Sequence, residues 1–332
     1  MANPPKADDG HITLKDVAKA ARVGESTASR VLNGKGSFSE DARARVLRAA
    51  QKLHYVPNRI AGTLASTGSQ LVGIIIPAVT TTFFPDLMLG ANAVLEAAGF
   101  QSVISVTEYD ALREEKLIQS LLSWRPAGIL ITGLDHTDRA RAMLKASRTR
   151  VVELGDIDGQ GIDIVVGFSN HAAGYAAGQF LVKRKYRRIG YVGNRSTRAA
   201  KRYVGFKAAL AESGLSLADE EITHGLASIK AGRDGLMRLL KRKTNLDVVY
   251  FANDDMAIGG YFHCHATGIS IPDKLALFGH NGSDEGQLIA QPLSTVRAPR
   301  LAVGKIGAQL LLSGGPAQVI DLGFEICEGM TA

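Results

Sequence analysis

Cysteine is almost missing from this chain: 332 residues hold only Cys264 and Cys327, too few and too far apart to make a disulfide framework. That scarcity fits a reducing compartment, where both thiols read as small buried hydrophobes. Long apolar runs are missing as well. No stretch approaches the roughly 18 consecutive apolar residues of a membrane span, and the opening MANPPKADDGH has none of the apolar run of a signal peptide. The expected location is therefore the cytoplasm, with no membrane partner. Catalytic loop signatures are lacking too: there is no G-x-S-x-G elbow and no complete G-x-x-x-x-G-K-[ST] loop, and GQGIDI follows no clear strand-to-helix turn. HCH at 263–265 has metal-like residue types. Neighbouring helical residues point about 100° apart, however, and cannot converge on one ion. No enzymatic activity, metal or cofactor is expected.

What is present is a basic head. Residues 1–69 carry 11 Lys and Arg against 6 Asp and Glu, while the remaining 263 residues carry 28 against 26. Most of the net charge of +7 thus sits in the first fifth of the chain. A basic end on a near-neutral body is the distribution expected of a protein that meets a polyanion.

Residues 1–10, with two prolines, Asp8, Asp9 and Gly10, show no period and read as a disordered tail. From Thr13, a helix cap, the apolar positions Leu14, Val17, Ala18 and Ala21 follow helical spacing. Arg22, Val23 and Gly24 interrupt it, a second helix runs from about Glu25 to Leu32, and Asn33-Gly34 ends that one. Ser39 caps a third helix with Ala42, Val46, Ala49, Ala50 and Leu53 inward. Two short helices joined by a three-residue turn fit a helix-turn-helix over 11–57. Glu25, Ser26, Thr27, Ser29 and Arg30 are then the polar residues of its second helix, of a size suited to base edges and phosphates. A glycine-interrupted segment, 58–69, reads as a linker or hinge.

From about residue 70 the character changes to alternating buried strands and helices: LVGIIIP, QSVISV, GILIT, RVVEL, DIVVGF, RIGYVG, DVVYFA and LALFG. Around ten strands in some 260 residues predict two doubly wound parallel-sheet α/β lobes with a ligand cleft at the strand carboxyl ends. The expected division is an N-lobe of about 70–167 plus 299–325 and a C-lobe of about 168–298 plus the C-terminal end. Phe83 and Phe84 follow the first strand and either stack on a sugar face or cover the sheet edge. Glu153 and Asp156, Asn253 and Asp254, and His280 and Asn281 lie at other strand ends, where they can meet ligand hydroxyls. The cluster Arg195, Arg198, Lys201 and Arg202 can hold an anion.

TLKDVAKAARVGESTASRVLNG, followed by VLRAAQKLHYVPNRIAGTLASTGSQLVGIIIP, resembles the amino-terminal signature of the lactose/galactose repressor family of bacterial transcription regulators, and the body is collinear with it. The resemblance implies a periplasmic-binding-protein-like body and a homodimer on a near-palindromic double-stranded operator, with Glu25, Ser26 and Arg30 facing the major groove. It implies DNA contacts from Thr13, Thr27, Ser29, Asn33 and Tyr55 as well, and from Asn58, Arg59, Ala61 and Leu64 in the hinge. Leu64 stands where the family wedges a side chain into the minor groove. Three residues depart from the pattern: Arg22 for the usual turn glycine, Gly24 for the usual Ser or Thr cap, and an acidic Glu25.

The stretches LLSWRPAGILIT, VVELGDID, DIVVGFSN, FANDDMAIG and VIDLGF resemble the gluconate-operon repressor group within that family. This implies a sugar-acid effector such as gluconate, a ketogluconate or idonate, and points to Arg202 as its anion partner. Asn281 stands where the family commonly has an acid, a change that favours an anionic ligand. A sugar-binding protein or a sugar-processing α/β enzyme would share the body. Either would leave the basic head unexplained.

Overall fold

The computed structural model describes residues 12–34, 36–57 and 69–332. The tail at 1–10 and the hinge at 58–69, apart from Ser69, fall outside the described residues, and with them Asn58, Arg59, Ala61 and Leu64. The chain divides into two compact units, the second beginning at Ser69.

The first unit holds three helices: α1 (Leu14–Ala21), α2 (Glu25–Leu32) and α3 (Glu40–Lys52). Thr13 opens α1, with the Asp16 carboxylate accepting from the Thr13 amide at 2.8 Å and from its hydroxyl at 2.6 Å. Ser39 opens α3 by accepting from the Ala42 amide at 3.3 Å. Between α1 and α2, Arg22 adopts φ 55°, ψ 48°. A side chain in that left-handed conformation is strained by roughly 1–2 kcal/mol, which explains why a glycine is the ordinary choice there. Val17, Ala18, Ala21, Ala28, Val31, Val46, Ala49 and Ala50 form the core, with Val23, Phe38, Leu53 and Tyr55 packed around it. Its alanine content lets three short helices approach closely.

The second unit begins with β1 (Leu71–Ile76), α4 (Phe83–Ala97), β2 (Gln101–Val106), α5 (Ala111–Ser123), β3 (Gly128–Thr132), α6 (Asp138–Ser147), β4 (Arg150–Leu154) and β5 (Ile164–Gly167). It continues through α7 (Asn170–Lys183), β6 (Ile189–Asn194), α8 (Thr197–Glu212), β7 (Asp219–Thr223), α9 (Ile229–Lys241), β8 (Val248–Phe251) and α10 (Asp254–Thr267). Then come β9 (Ala276–Asn281), α11 (Asp284–Leu288), β10 (Ser294–Arg297), α12 (Arg300–Ser313), β11 (Gln318–Asp321) and β12 (Glu325–Cys327).

The strands make two six-stranded sheets, ordered β11-β5-β4-β3-β1-β2 and β12-β10-β9-β8-β6-β7. All pairings are parallel except β10 with β12. Helices cover both faces of each sheet, so central strands such as β6, β8 and β9 are buried at every position. The chain passes between lobes after Gly167, after Arg297 and after Asp321. The last passage corrects the expected boundary: Glu325 begins β12 in the C-lobe sheet instead of closing the N-lobe.

Three helix pairs are drawn together through glycines that face the neighbouring backbone. A Cβ on Gly174 of α7 would lie 1.9 Å from the Arg202 carbonyl of α8, and one on Gly205 of α8 would lie 2.0 Å from the His171 carbonyl of α7. Gly90 and Gly304 relate α4 to α12 in the same way, and Gly232 and Gly259 relate α9 to α10. Any larger residue would force these helix axes apart.

Candidate functional site

On α2, Glu25, Ser26 and Arg30 are exposed, whereas Thr27 and Ser29 are half-buried against the helical core. Arg30 Nε donates to the Ser26 carbonyl at 3.3 Å, and its guanidinium lies 5.7 Å over the Phe38 ring. Asn33 Nδ2 donates to the Ser29 carbonyl at 2.9 Å, which tightens the end of the helix. Glu25 sits in the first turn, where the helix dipole favours a carboxylate. Thr13 serves the α1 cap, and Tyr55 lies half-buried on the core.

In the body, the carboxyl ends of both sheets converge on one pocket. Its lining includes Thr81, Phe83, Phe84, Tyr109, Phe168 and Asn170 from the N-lobe strand ends and the passage between lobes, and Asn194, Ser196, Arg198, Arg202, Asn253 and Asn281 from the C-lobe. Phe83 and Phe84 pack edge to face with centroids 5.4 Å apart, and both are buried, so they cover the sheet end and wall the pocket at once. Arg198 lies over both rings, 4.9 and 4.7 Å from their centroids. Arg202 is buried behind it. Its Nε donates to the Arg198 carbonyl at 3.2 Å, and its Nη1 to the Ala252 carbonyl at 3.0 Å and to Asn281 Oδ1 at 3.2 Å. Burial holds the Arg202 pKa below the usual guanidinium value, and the neighbouring Arg198 charge adds to the shift. Among the described residues lining the pocket, none is a carboxylate.

Asn253 and Asn281 take the expected places in the lining, but each is partly committed elsewhere. Asn253 Oδ1 caps α10 by accepting from the Met256 amide at 3.0 Å. Asn281 has φ 111°, and its carbonyl accepts from Arg300 Nη1 at 2.7 Å.

Four of the expected residues do not line the pocket. Glu153 is fully buried on β4, where Oε1 lies 3.3 Å from His136 Nε2 and Oε2 accepts from the Ile162 amide at 2.5 Å. The same imidazole lies 2.7 Å from Glu114, and these two acids overcome burial to push the His136 pKa up to about 9. Asp156 is fully buried and accepts from Lys201 Nζ at 2.5 Å and Asn170 Nδ2 at 3.2 Å. Asp254 accepts from the Thr295 hydroxyl at 2.7 Å and the Ser283 amide at 2.5 Å, so it pins the β9–α11 loop to β10. His280 is buried behind the pocket with Nδ1 2.9 Å from the Tyr250 hydroxyl, and burial followed by the Arg202 charge keeps it neutral. In each case a strand-end side chain turns toward a protein partner, although Glu153 Oε1 and His280 Nε2 keep no hydrogen-bond partner among the described residues.

Within the anion cluster only Arg195 is exposed. Tyr109, Asn170, Asn194 and Ser196 are lining residues that sequence reasoning missed. Among the described residues, no group of three or more His, Cys, Asp or Glu is placed to hold a metal ion, and no helix is long and apolar enough to cross a membrane.

A helix-turn-helix unit followed by a two-lobed α/β unit with a polar cleft at its strand ends defines the class of ligand-responsive DNA-binding regulators. Residues 13–58 match the model of bacterial regulatory proteins of the lacI family, and residues 69–313 match that of periplasmic binding proteins and the sugar-binding domain of the LacI family. The chain belongs to the LacI family and is a DNA-binding transcriptional repressor of that family.

It is 35% identical over 325 residues to the HTH-type transcriptional regulator GntR of Pseudomonas aeruginosa, covering 96% of this chain and 94% of that one. To the GntR of Escherichia coli it is 31% identical, covering 95% and 97% of the two chains. The crystal structure of a LacI-family transcriptional regulator from Silicibacter pomeroyi superposes with a TM-score of 0.91 at 40% identity, covering 96% of this chain and 99% of that one. The likeness to GntR-type regulators read from the residues is therefore borne out.

Proposed function

We propose that a homodimer of this chain represses transcription from a near-palindromic operator and that a sugar acid bound in the cleft lowers its operator affinity. Gluconate, the ketogluconates and idonate are the compounds of that class. The observation that carries the ligand assignment is the pocket's charge: the buried Arg202 guanidinium is held by three neutral acceptors, and no carboxylate lines the pocket among the described residues. A buried cation without a counter-ion favours a ligand that brings one. Asn170, Asn194, Ser196, Asn253 and Asn281 offer amides and hydroxyls to the polyol. The GntR-type relatives support the same assignment.

On the DNA side, Glu25, Ser26 and Arg30 read the major groove, with Thr13, Thr27, Ser29, Asn33 and Tyr55 completing the head's DNA-facing set. Asn58, Arg59 and Ala61 contact the operator, and Leu64 wedges into its minor groove. Effector binding reorients the lobes and separates the paired hinges. The test is fluorescence anisotropy on a duplex selected from a random library by the full-length protein, titrated with gluconate, 2-ketogluconate, 5-ketogluconate, idonate and glucose. The expected loss of operator affinity with a sugar acid is about 5- to 150-fold. No change with any sugar acid overturns the effector assignment.

A further inference from the structure

A ligand with a single negative group leaves Arg198 without a role. Arg198 projects from the first turn of α8 in the C-lobe, and its guanidinium lies across the cleft on the N-lobe rings of Phe83 and Phe84. Its Nη1 is buried and has no hydrogen-bond partner among the described residues. The backbone there is close: a Cβ on Gly155 would come within 3.3 Å of that nitrogen. Aromatic faces stabilise a cation but accept no directed hydrogen bond of the strength a guanidinium makes to an oxyanion. The side chain is thus held at the N-lobe wall with a donor unmet.

Its surroundings leave the charge unneutralised. Arg202 lies four residues further on the same helix face, a like-charge spacing that is unfavourable unless an anion joins the pair. Of the acids nearby, Asp156 is paired with Lys201, and Asp86, in the first turn of α4, with Arg300. The two guanidiniums also serve opposite walls. Arg202 is anchored to the C-lobe strand ends at Ala252 and Asn281, while Arg198 rests on the N-lobe phenylalanines.

We propose that Arg198 is a second anion-binding group of the cleft, and that the ligand is a polyhydroxy chain with two negative groups, one met by Arg202 and the other by Arg198. The proposal rests on the sugar-acid reading above and narrows it from one charge to two. The chemistry has two sources, an aldonate bearing a phosphate and an aldarate with a carboxylate at each end. On binding, Arg198 exchanges ring faces for a charge-assisted bond, and because it spans both lobes the second anion is sensed by both.

The experiment is calorimetric titration of the full-length protein with gluconate, 6-phosphogluconate, glucarate and glucose 6-phosphate. It is repeated on Arg198→Gln and Arg198→Lys, with the cooperative thermal unfolding of each variant as the check on folding. 6-Phosphogluconate or glucarate, each with two negative groups, is expected to bind ten-fold or more tighter than gluconate. Arg198→Gln collapses that ratio and Arg198→Lys restores part of it. The phosphate and aldarate arms tell the two sources apart. Equal or tighter binding of gluconate, a preference for two anionic groups that survives Arg198→Gln, or glucose 6-phosphate binding as tightly as 6-phosphogluconate overturns the two-anion proposal while leaving the sugar-acid reading in place. Binding of none of the sugar acids overturns that reading itself.

Discussion

Lys201 on α8 reaches from the C-lobe to Asp156 in the N-lobe, with Nζ 2.5 Å from Oδ2, 3.0 Å from the Asp158 carbonyl and 3.6 Å from Asp135 Oδ2. Burial works against the lysine charge, but the hydrogen bond and the charge of Asp156 outweigh it and raise the Lys201 pKa. Asp156 is fully buried, so removing its cation leaves a carboxylate served only by Asn170 and the Asp158 amide. Lys201 keeps a fifth of its side chain exposed, which tempers the loss. Lys201→Met is expected to lower stability by about 2 kcal/mol, less than the full cost of breaking a buried pair. Urea unfolding at neutral pH checks it, and an unchanged midpoint would reduce the pair to a surface contact.

Asp255, in the first turn of α10, gives the fold a pH dependence. Burial, followed by the Asp254 charge, pushes its carboxyl pKa up to about 7, against the opposing hydrogen bond from the Thr82 backbone. Because the folded pKa lies above the unfolded one, the native state binds more protons between about pH 4 and 7, and stability falls as pH rises through that window. Asp255→Asn is expected to stabilise the protein above pH 7 by about 2–4 kcal/mol and to have little effect near pH 4. Denaturant unfolding at pH 4.5 and pH 8 reads the difference; equal shifts at both would remove Asp255 as its source.

The α7–α8 contact ties packing to ligand binding through one glycine. Gly174 faces the carbonyl of Arg202 itself, with no space for a methyl group. Gly174→Ala should destabilise by about 1–3 kcal/mol and shift α8 outward, moving Arg202 relative to Ala252 and Asn281. Weaker gluconate binding in calorimetry, alongside a lower unfolding temperature, is the expected pair of results. Unaltered ligand affinity would separate helix spacing from the anion site.

For the hinge, the expected effect is confined to DNA. Leu64→Ala removes the apolar wedge and should weaken specific operator binding about ten-fold or more, the scale set by the extra surface that a kinked duplex offers the protein. Effector affinity is expected to stay at its wild-type value. Equal operator affinity in anisotropy would take the wedge role away from Leu64.

Where a signal was local, the sequence carried it. The caps at Thr13 and Ser39, the α2 bounds at Glu25 and Leu32, and the apolar runs of β1, β3, β6, β8 and β9 were all readable from periodicity and capping chemistry. The strands at β7, β10, β11 and β12 were not, because they are short and lie at or near sheet edges, with DEEIT and STVR carrying no apolar run. A position at a strand end fixes how deep a side chain starts but not which partner it meets. Asn253, Asn281, Phe83, Phe84 and Arg202 reach the pocket, whereas Glu153, Asp156, Asp254 and His280 turn to protein partners. The spacing of Arg198 and Arg202 along one helix was the signal available for the second guanidinium.

The three passages of the chain between lobes have a consequence for synthesis. The N-lobe sheet is built mostly from residues 71–167, yet its edge strand β11 and the covering helix α12 come from residues 300–321. A ribosome therefore delivers nearly the whole C-lobe before the N-lobe has its last strand and helix. Until then β5 presents an unpaired edge, and Gly90 of α4 faces no partner helix. The lobe that emerges first thus waits for its closing strand until all of the C-lobe but β12 has been made, and the nascent chain is most exposed to mispairing along β5 during the interval.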